Sequence, residues 1–164
     1  MIFRKRARLT PITKTDVVKK LLDNAIVKIG NSNKAVMVFF DLKCPFCAKL
    51  FRETDEMLLE IANRGLITYA MCDYVIHKEA LPLHKALRCL DERERLKFIK
   101  EVFSGKMPEV ANCQKDLGEC TKLAEEAGVY GTPTLLFYDF TRGRGYLHFG
   151  YMTLDEVLEA ISSL

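Results

Sequence analysis

"FFDLKCPFCAKLF", Phe39 to Phe51, joins two patterns through a pair of cysteines. The apolar run "KAVMVFFDL" (34–42) has strand length and no alternation, as expected of a strand buried on both faces. From Pro45 to Asn63 the apolar residues Leu50, Met57, Leu58 and Ile61 suit a helix, and Gly65 is placed to end it. Cys44 and Cys47 stand where one becomes the other.

That location has chemical consequences. Cys44 falls near the helix N-cap, where backbone N–H groups are free and the helix dipole is positive. Such a site favours the thiolate, which is the nucleophilic form. Pro45 suits the first helical turn, where its missing N–H costs nothing. Cys47, one turn in, is expected to be more buried and within bonding reach of Cys44. Cys44 can then attack a disulfide, and Cys47 can resolve the mixed disulfide by attacking Cys44. A C-x-x-C is also half of a zinc site or a plain structural bridge. Cys72, Cys89, Cys113 and Cys120 are widely and irregularly spaced, which argues against zinc. The strand–CxxC–helix context favours redox work over a structural bridge.

Working outward, Val17, Val18, Leu21 and Leu22 mark an amphipathic helix, and "AIVKIG" (25–30) reads as a short strand. "GLITYAMC" (65–72) is the strand after the cysteine helix. Residues 76–127 read as helical throughout, broken at "SGKMP" and ending at Gly128. "PTLLFYDF" and "GYLHFG" form a hairpin around "TRGRG". The final helix starts with a capping-box signature, Thr153 with Glu156, and buries Leu154, Val157, Leu158 and Ile161. This order implies an α/β fold with a mixed central sheet and a helical insertion at about 76–127. Residues 1–24 read as a basic tail with a short helix, and 25–164 as one domain.

The 164 residues suffice for one domain with a real core. No apolar run approaches the ~18 residues of a membrane span. The net charge of +3 is uneven: residues 1–20 carry +6, which leaves −3 over the remaining 144. The tail charges Arg4, Lys5, Arg6 and Arg8 read as an exposed end, and no nucleic-acid partner is expected. "MIFRKRARLTPITKTD" lacks the apolar core of a signal peptide, whereas six cysteines suit an oxidising compartment. The expected location is periplasmic or otherwise extracytoplasmic if a leader has been removed, and cytoplasmic otherwise.

A second motif lies far along the chain. "VYGTPTLLF" (129–137) places Thr132-Pro133 immediately before a strand, where a proline is tolerated at the strand start; on its own this reads as a turn proline. With this stretch the chain resembles the thioredoxin superfamily, whose motifs are a CxxC at a helix start and a cis-proline loop before a later strand. The closer likeness is to the catalytic domain of the DsbC/DsbG group of bacterial thiol:disulfide interchange proteins. It runs from about Ala25 to the C-terminus through "VFFDLKCPFCAKL", "ALRC", "EVFSGK", "ANC", "AEEAGVYGTPTLLF" and "GYMTLDEVLEAI".

The resemblance implies several roles. Thr132-Pro133 would be a cis peptide packed against Cys44 and Cys47, presenting backbone groups to an incoming peptide. Pro45 and Phe46 would complete that substrate surface, with Phe46 either exposed for docking or packed onto the domain. Cys89 and Cys113 match a structural disulfide of the group. Cys72 and Cys120 have no counterpart and are inert thiols or a second bridge. The implied activity is that of a protein thiol:disulfide oxidoreductase, its substrates cysteine-bearing proteins and its dithiol reset by a redox partner protein. No metal or organic cofactor is implied, because the dithiol is the redox centre. A thioredoxin-like reductase and a non-catalytic polypeptide-binding module are the alternatives.

Three departures shape these expectations. Members of the group carry an N-terminal dimerisation domain, whereas about 24 residues precede the matching region here, so a monomer and a general oxidoreductase are expected rather than a dedicated isomerase. The buried acid that thioredoxins carry six residues before the first cysteine is replaced by Val38. Between the cysteines stand Pro45 and Phe46, with no histidine to support the thiolate. His77, His84 and His148 show no pairing with a cysteine in sequence and read as solvated or packed.

Overall fold

The computed structural model describes residues 9–110, 112–113 and 115–164. The tail charges Arg4, Lys5, Arg6 and Arg8 lie outside these residues. The strands are β1 (Leu9–Ile12), β2 (Val27–Ile29), β3 (Lys34–Phe40), β4 (Thr68–Asp73), β5 (Thr134–Asp139) and β6 (Arg144–Phe149). The helices are α1 (Thr15–Asn24), α2 (Pro45–Asn63), α3 (Leu81–Cys89), α4 (Glu92–Phe103), α5 (Cys120–Ala127) and α6 (Leu154–Ser162), with a single 3-10 turn at Lys78–Ala80.

One sheet holds all six strands in the order β1-β6-β5-β3-β4-β2. Only β3 and β4 run parallel, because α2 crosses between them; the other neighbours are antiparallel. The mixed sheet read from the sequence is therefore correct. The unbroken apolar run of β3 also has its expected cause. Val36, Val38 and Phe40 point into a core shared with α2, α4 and α6, while Met37 and Phe39 point into a second core with α1 and α5. Burying both faces of the central strand fixes its carboxyl end, where the chain leaves toward Cys44.

Two expectations need correction. The stretch read as basic tail contributes β1, which pairs Leu9 with His148 and Ile12 with Gly145. Ile12 is buried there, and Pro11, which has no N–H to give a ladder, is acceptable because β1 is an edge strand. The insertion is not helical throughout. Among the described residues no helix lies between Phe103 and Cys120; Gly105 and Gly118 take positive φ (93° and 73°) and Pro108 lies between them. Gly128 does end α5 as expected, at φ 105° in the left-handed region. The capping box at Thr153 and Glu156 is formed. Among the described residues no helix is long and apolar enough to cross a membrane.

Candidate active site

Cys44 is the N-cap of α2, in extended backbone geometry (φ −83°, ψ 116°), with Pro45 at the first helical position. Its Sγ accepts the Cys47 N–H at 3.4 Å, one of the free amides that a helix start leaves over. Its own N–H donates to the Asp41 carbonyl at 3.0 Å. Both sulfurs are free thiols, and both residues are buried, Cys47 more deeply.

The two thiols are driven apart in acidity. A hydrogen bond from the Cys47 side chain lowers Cys44 most, to about 5, against the cost of its burial; the Thr132 side chain and the amides of Cys47 and Phe46 act in the same direction. Burial pushes Cys47 far up, and the neighbouring Cys44 adds to it. Near neutral pH the pair therefore holds one thiolate, at Cys44, and one proton, at Cys47.

Thr132-Pro133 is a cis peptide and lies over this pair. The Cys44 thiol, when protonated, can donate to the Thr132 carbonyl at 3.7 Å. The Thr132 hydroxyl is buried without a hydrogen-bond partner, and its side chain acts to lower the pKa of both cysteines. Beyond it, the Pro133 carbonyl accepts Gly150 N–H at 2.8 Å, which ties the loop to the end of β6. Phe46 is not packed onto the domain: it is 61% exposed. A cleft of about 230 Å³ opens beside Cys44, lined by Lys43, Pro45, Ala48, Phe103, Lys106 and Met107.

Behind the cysteines lie polar groups that the sequence reading did not assign. Asp41 is fully buried; its carboxylate accepts the N–H groups of Lys43 (2.8 Å), Ile76 and His77 (both 2.7 Å) and stands 3.0 Å from His77 Nδ1. Burial acts to raise this carboxyl, but the His77, Lys43 and Ile76 amides and the His77 ring together hold it below the usual value. His84, also fully buried, accepts Leu42 N–H at Nε2 (3.0 Å), so its Nδ1 is the ring donor, to Asp73 at 2.9 Å. Arg88 closes that chain on the other Asp73 oxygen at 2.6 Å. Residues 41–44 are thus pinned by His77 at Asp41 and by the His84–Asp73 pair at Leu42. Two of the three histidines read as solvated or packed hold the loop that carries Cys44.

A sequence family described as "Thioredoxin" matches residues 23–129. The chain belongs to that thioredoxin family. It is 28% identical over 122 residues to the thiol:disulfide interchange protein DsbC of Escherichia coli K12, a match covering 74% of this chain and 50% of that protein. The chain spans about half the length of the curated relatives it matches. Among solved structures it resembles the disulfide interchange protein of Neisseria gonorrhoeae (TM-score 0.64, 29% identity, 87% of this chain and 96% of that one). BdbD of Bacillus subtilis shares the fold at 14% identity, with a TM-score of 0.66 over 87% of this chain and 93% of that one. The thioredoxin fold and the likeness to DsbC read from the sequence hold.

Within this thioredoxin domain the other four cysteines are paired. Cys89 bonds Cys113, with Cα atoms 6.0 Å apart, tying the end of α3 to the non-helical stretch before α5. Cys72 bonds Cys120 (Cα–Cα 5.7 Å), so the alternative of two inert thiols does not apply; this bridge fastens β4 to the start of α5 and is wholly buried. Val38 fills its position with buried hydrocarbon. The buried acid on α2 is Asp55, raised by burial although it accepts the Tyr69 hydroxyl at 2.8 Å. Among the described residues no group of three or more metal-ligating side chains comes together.

Proposed function

We propose that this domain exchanges disulfides with cysteine-containing proteins through Cys44 and Cys47. The observation that carries the reading is the split in acidity between two adjacent sulfurs beneath the Thr132-Pro133 loop. In the oxidising direction, a client thiolate attacks the Cys44–Cys47 disulfide at the Cys44 sulfur. The S–S bond breaks, and Cys47 leaves as thiolate and takes a proton. A second client thiolate then attacks the client sulfur, a new client disulfide forms, and Cys44 departs as thiolate. Two electrons move from client to domain, and a redox partner protein must remove them. Run backward, the Cys44 thiolate attacks a client disulfide and Cys47 resolves the adduct. The dithiol is itself the redox centre, so no metal or organic cofactor enters.

A Cys44 thiolate stabilised to about 5 makes the reduced state the favoured one, which supports an oxidant over a reductase. Its partner proteins would meet exposed Phe46 and Tyr130, one between the cysteines and one in the loop before Pro133, both suited to apolar segments of an unfolded chain. Two disulfides outside the active pair support an extracytoplasmic location, since cytosolic thiols are kept reduced.

The test is turnover of a reduced, unfolded client with oxidised glutathione as the terminal oxidant. Wild-type protein should speed disulfide formation, Cys44→Ser should abolish it, and Cys47→Ser should accumulate a client adduct on Cys44 that reductant releases. Equal activity in all three proteins would leave a binding module with structural cysteines as the correct reading.

A further inference from the structure

His77 belongs to neither redox motif. It lies in the segment between β4 and the 3-10 turn, and its side chain is 41% exposed. Its ring stands 3.0 Å from a carboxylate that is completely buried, and its amide donates to the same oxygen at 2.7 Å. That carboxylate belongs to Asp41, three residues before Cys44, and the Asp41 carbonyl holds the Cys44 amide at 3.0 Å. A buried negative charge thus sits in the loop whose next function is to carry a second one, the thiolate. Like charges oppose each other, and the His77 ring is the cation on which both the Asp41 and the Cys44 charges act. Among the described residues the ion-pair partner of Asp41 is His77.

We propose that His77 is a positioning residue for Cys44: its imidazolium neutralises Asp41 and admits a thiolate beside it, and loss of its proton leaves the Asp41 charge opposing that thiolate. The proposal rests on the reading of Cys44 as the nucleophile. It also gives the domain, from a different part of the chain, a cation of the kind that is missing between its cysteines.

The charged groups acting on His77 are Asp41 from the β3–α2 loop, Glu79 from the 3-10 turn and Cys44 at the head of α2. The hydrogen bond to Asp41 raises His77 above its ordinary value of 6.5, the Asp41 charge adds to it, burial opposes, and Glu79 and Cys44 act upward. The sign follows. Below that raised value the imidazolium is present and the thiolate is admitted; as pH rises through it, the proton leaves and the reduced pair loses that support. By linkage, removing the Cys44 charge through oxidation must lower the His77 midpoint.

The experiment has two arms on the full chain. In the first, the Cys44 midpoint is read from thiolate absorbance of the reduced protein for wild type, His77→Gln and His77→Arg. The glutamine variant should raise it by about half a unit, roughly threefold in equilibrium constant, as expected for one partly exposed charge. The arginine variant should restore it. In the second, the His77 ring is titrated by NMR in wild-type protein, reduced and oxidised, and its midpoint should fall on oxidation. Equal Cys44 midpoints in the glutamine and wild-type proteins, or an unmoved His77 midpoint, would overturn the proposal. The absorbance arm needs no exchange reaction. A domain that fails to turn over clients would therefore sink the functional reading while His77 was still being judged.

Discussion

The amide of Cys47 donates to the sulfur of Cys44 across 3.4 Å, so the helix that begins at the cysteine pair also stabilises its first member. Cys44 is held at about 5, against an ordinary thiol value of 9.0. Its alkylation rate in the reduced protein should therefore be nearly flat above pH 6 and fall as pH drops through about 5. Stability carries the same sign. A depressed folded-state value contributes stability that is complete above the unfolded value, near 9, and lost as pH falls through 5. Denaturant unfolding should show the reduced form gaining on the oxidised form between pH 4 and pH 8. A gap that does not change with pH would contradict a stabilised thiolate.

Thr132→Val keeps the size of the side chain and removes the hydroxyl that lies buried against the two sulfurs. One hydrogen bond of about 1 kcal/mol corresponds to somewhat under one unit of acidity. The Cys44 midpoint should rise by about that amount and the pair should become more reducing. Iodoacetamide titration checks the first, and equilibrium with glutathione checks the second. An unchanged midpoint would mean that the loop backbone acts on the sulfurs without the hydroxyl.

His84→Leu should be costly. It leaves Leu42 N–H without its acceptor and takes the ring donor from Asp73, in a site with no exposure. Removing one member of a buried charged network costs about 3 kcal/mol. Urea unfolding should report a loss of that order, and the Cys44 midpoint should shift as the 41–44 loop slackens. A loss below about 0.5 kcal/mol, the scale of a neutral surface change, would show that the network is not holding the loop.

The Cys44–Cys47 pair should open first because its Cys44 thiolate is stabilised, and the two other bridges should follow in order of burial. Under mild reductant Cys44 and Cys47 should be alkylated first. Cys89–Cys113, whose Cys113 is exposed, should follow, and the wholly buried Cys72–Cys120 should resist until the protein unfolds. Mass analysis after alkylation counts them. Replacing Cys89 and Cys113 by Ser should cost roughly 3 kcal/mol through the freed loop. Early loss of Cys72–Cys120 would contradict the burial argument.

The strand–CxxC–helix junction could be read directly from residues 34–63 because each of its parts is local: an apolar run, an N-cap, a proline at the first helical position. The cis geometry of Thr132-Pro133 and the pairing of Cys89 with Cys113 came from resemblance, since neither has a local signature. Other features were hidden for physical reasons. Asp41 meets Ile76 and His77, and Leu42 meets His84, across separations of 35 to 42 residues, which no local periodicity encodes. β1 was obscured because Pro11 and the neighbouring charge look like a tail, and only pairing with β6 makes it a strand. Among the described residues between Phe103 and Cys120, the non-helical path lay hidden between helical segments on both sides.

Equilibration of the purified domain in glutathione buffers, with Cys44 and Cys47 followed by alkylation and mass, tests the redox assignment most directly. The expected result is a single two-electron transition confined to these two cysteines, with a potential of about −120 to −200 mV, as a stabilised thiolate requires. A pair that equilibrates near −270 mV would contradict the oxidising direction, and a pair that never exchanges would contradict the chemistry itself.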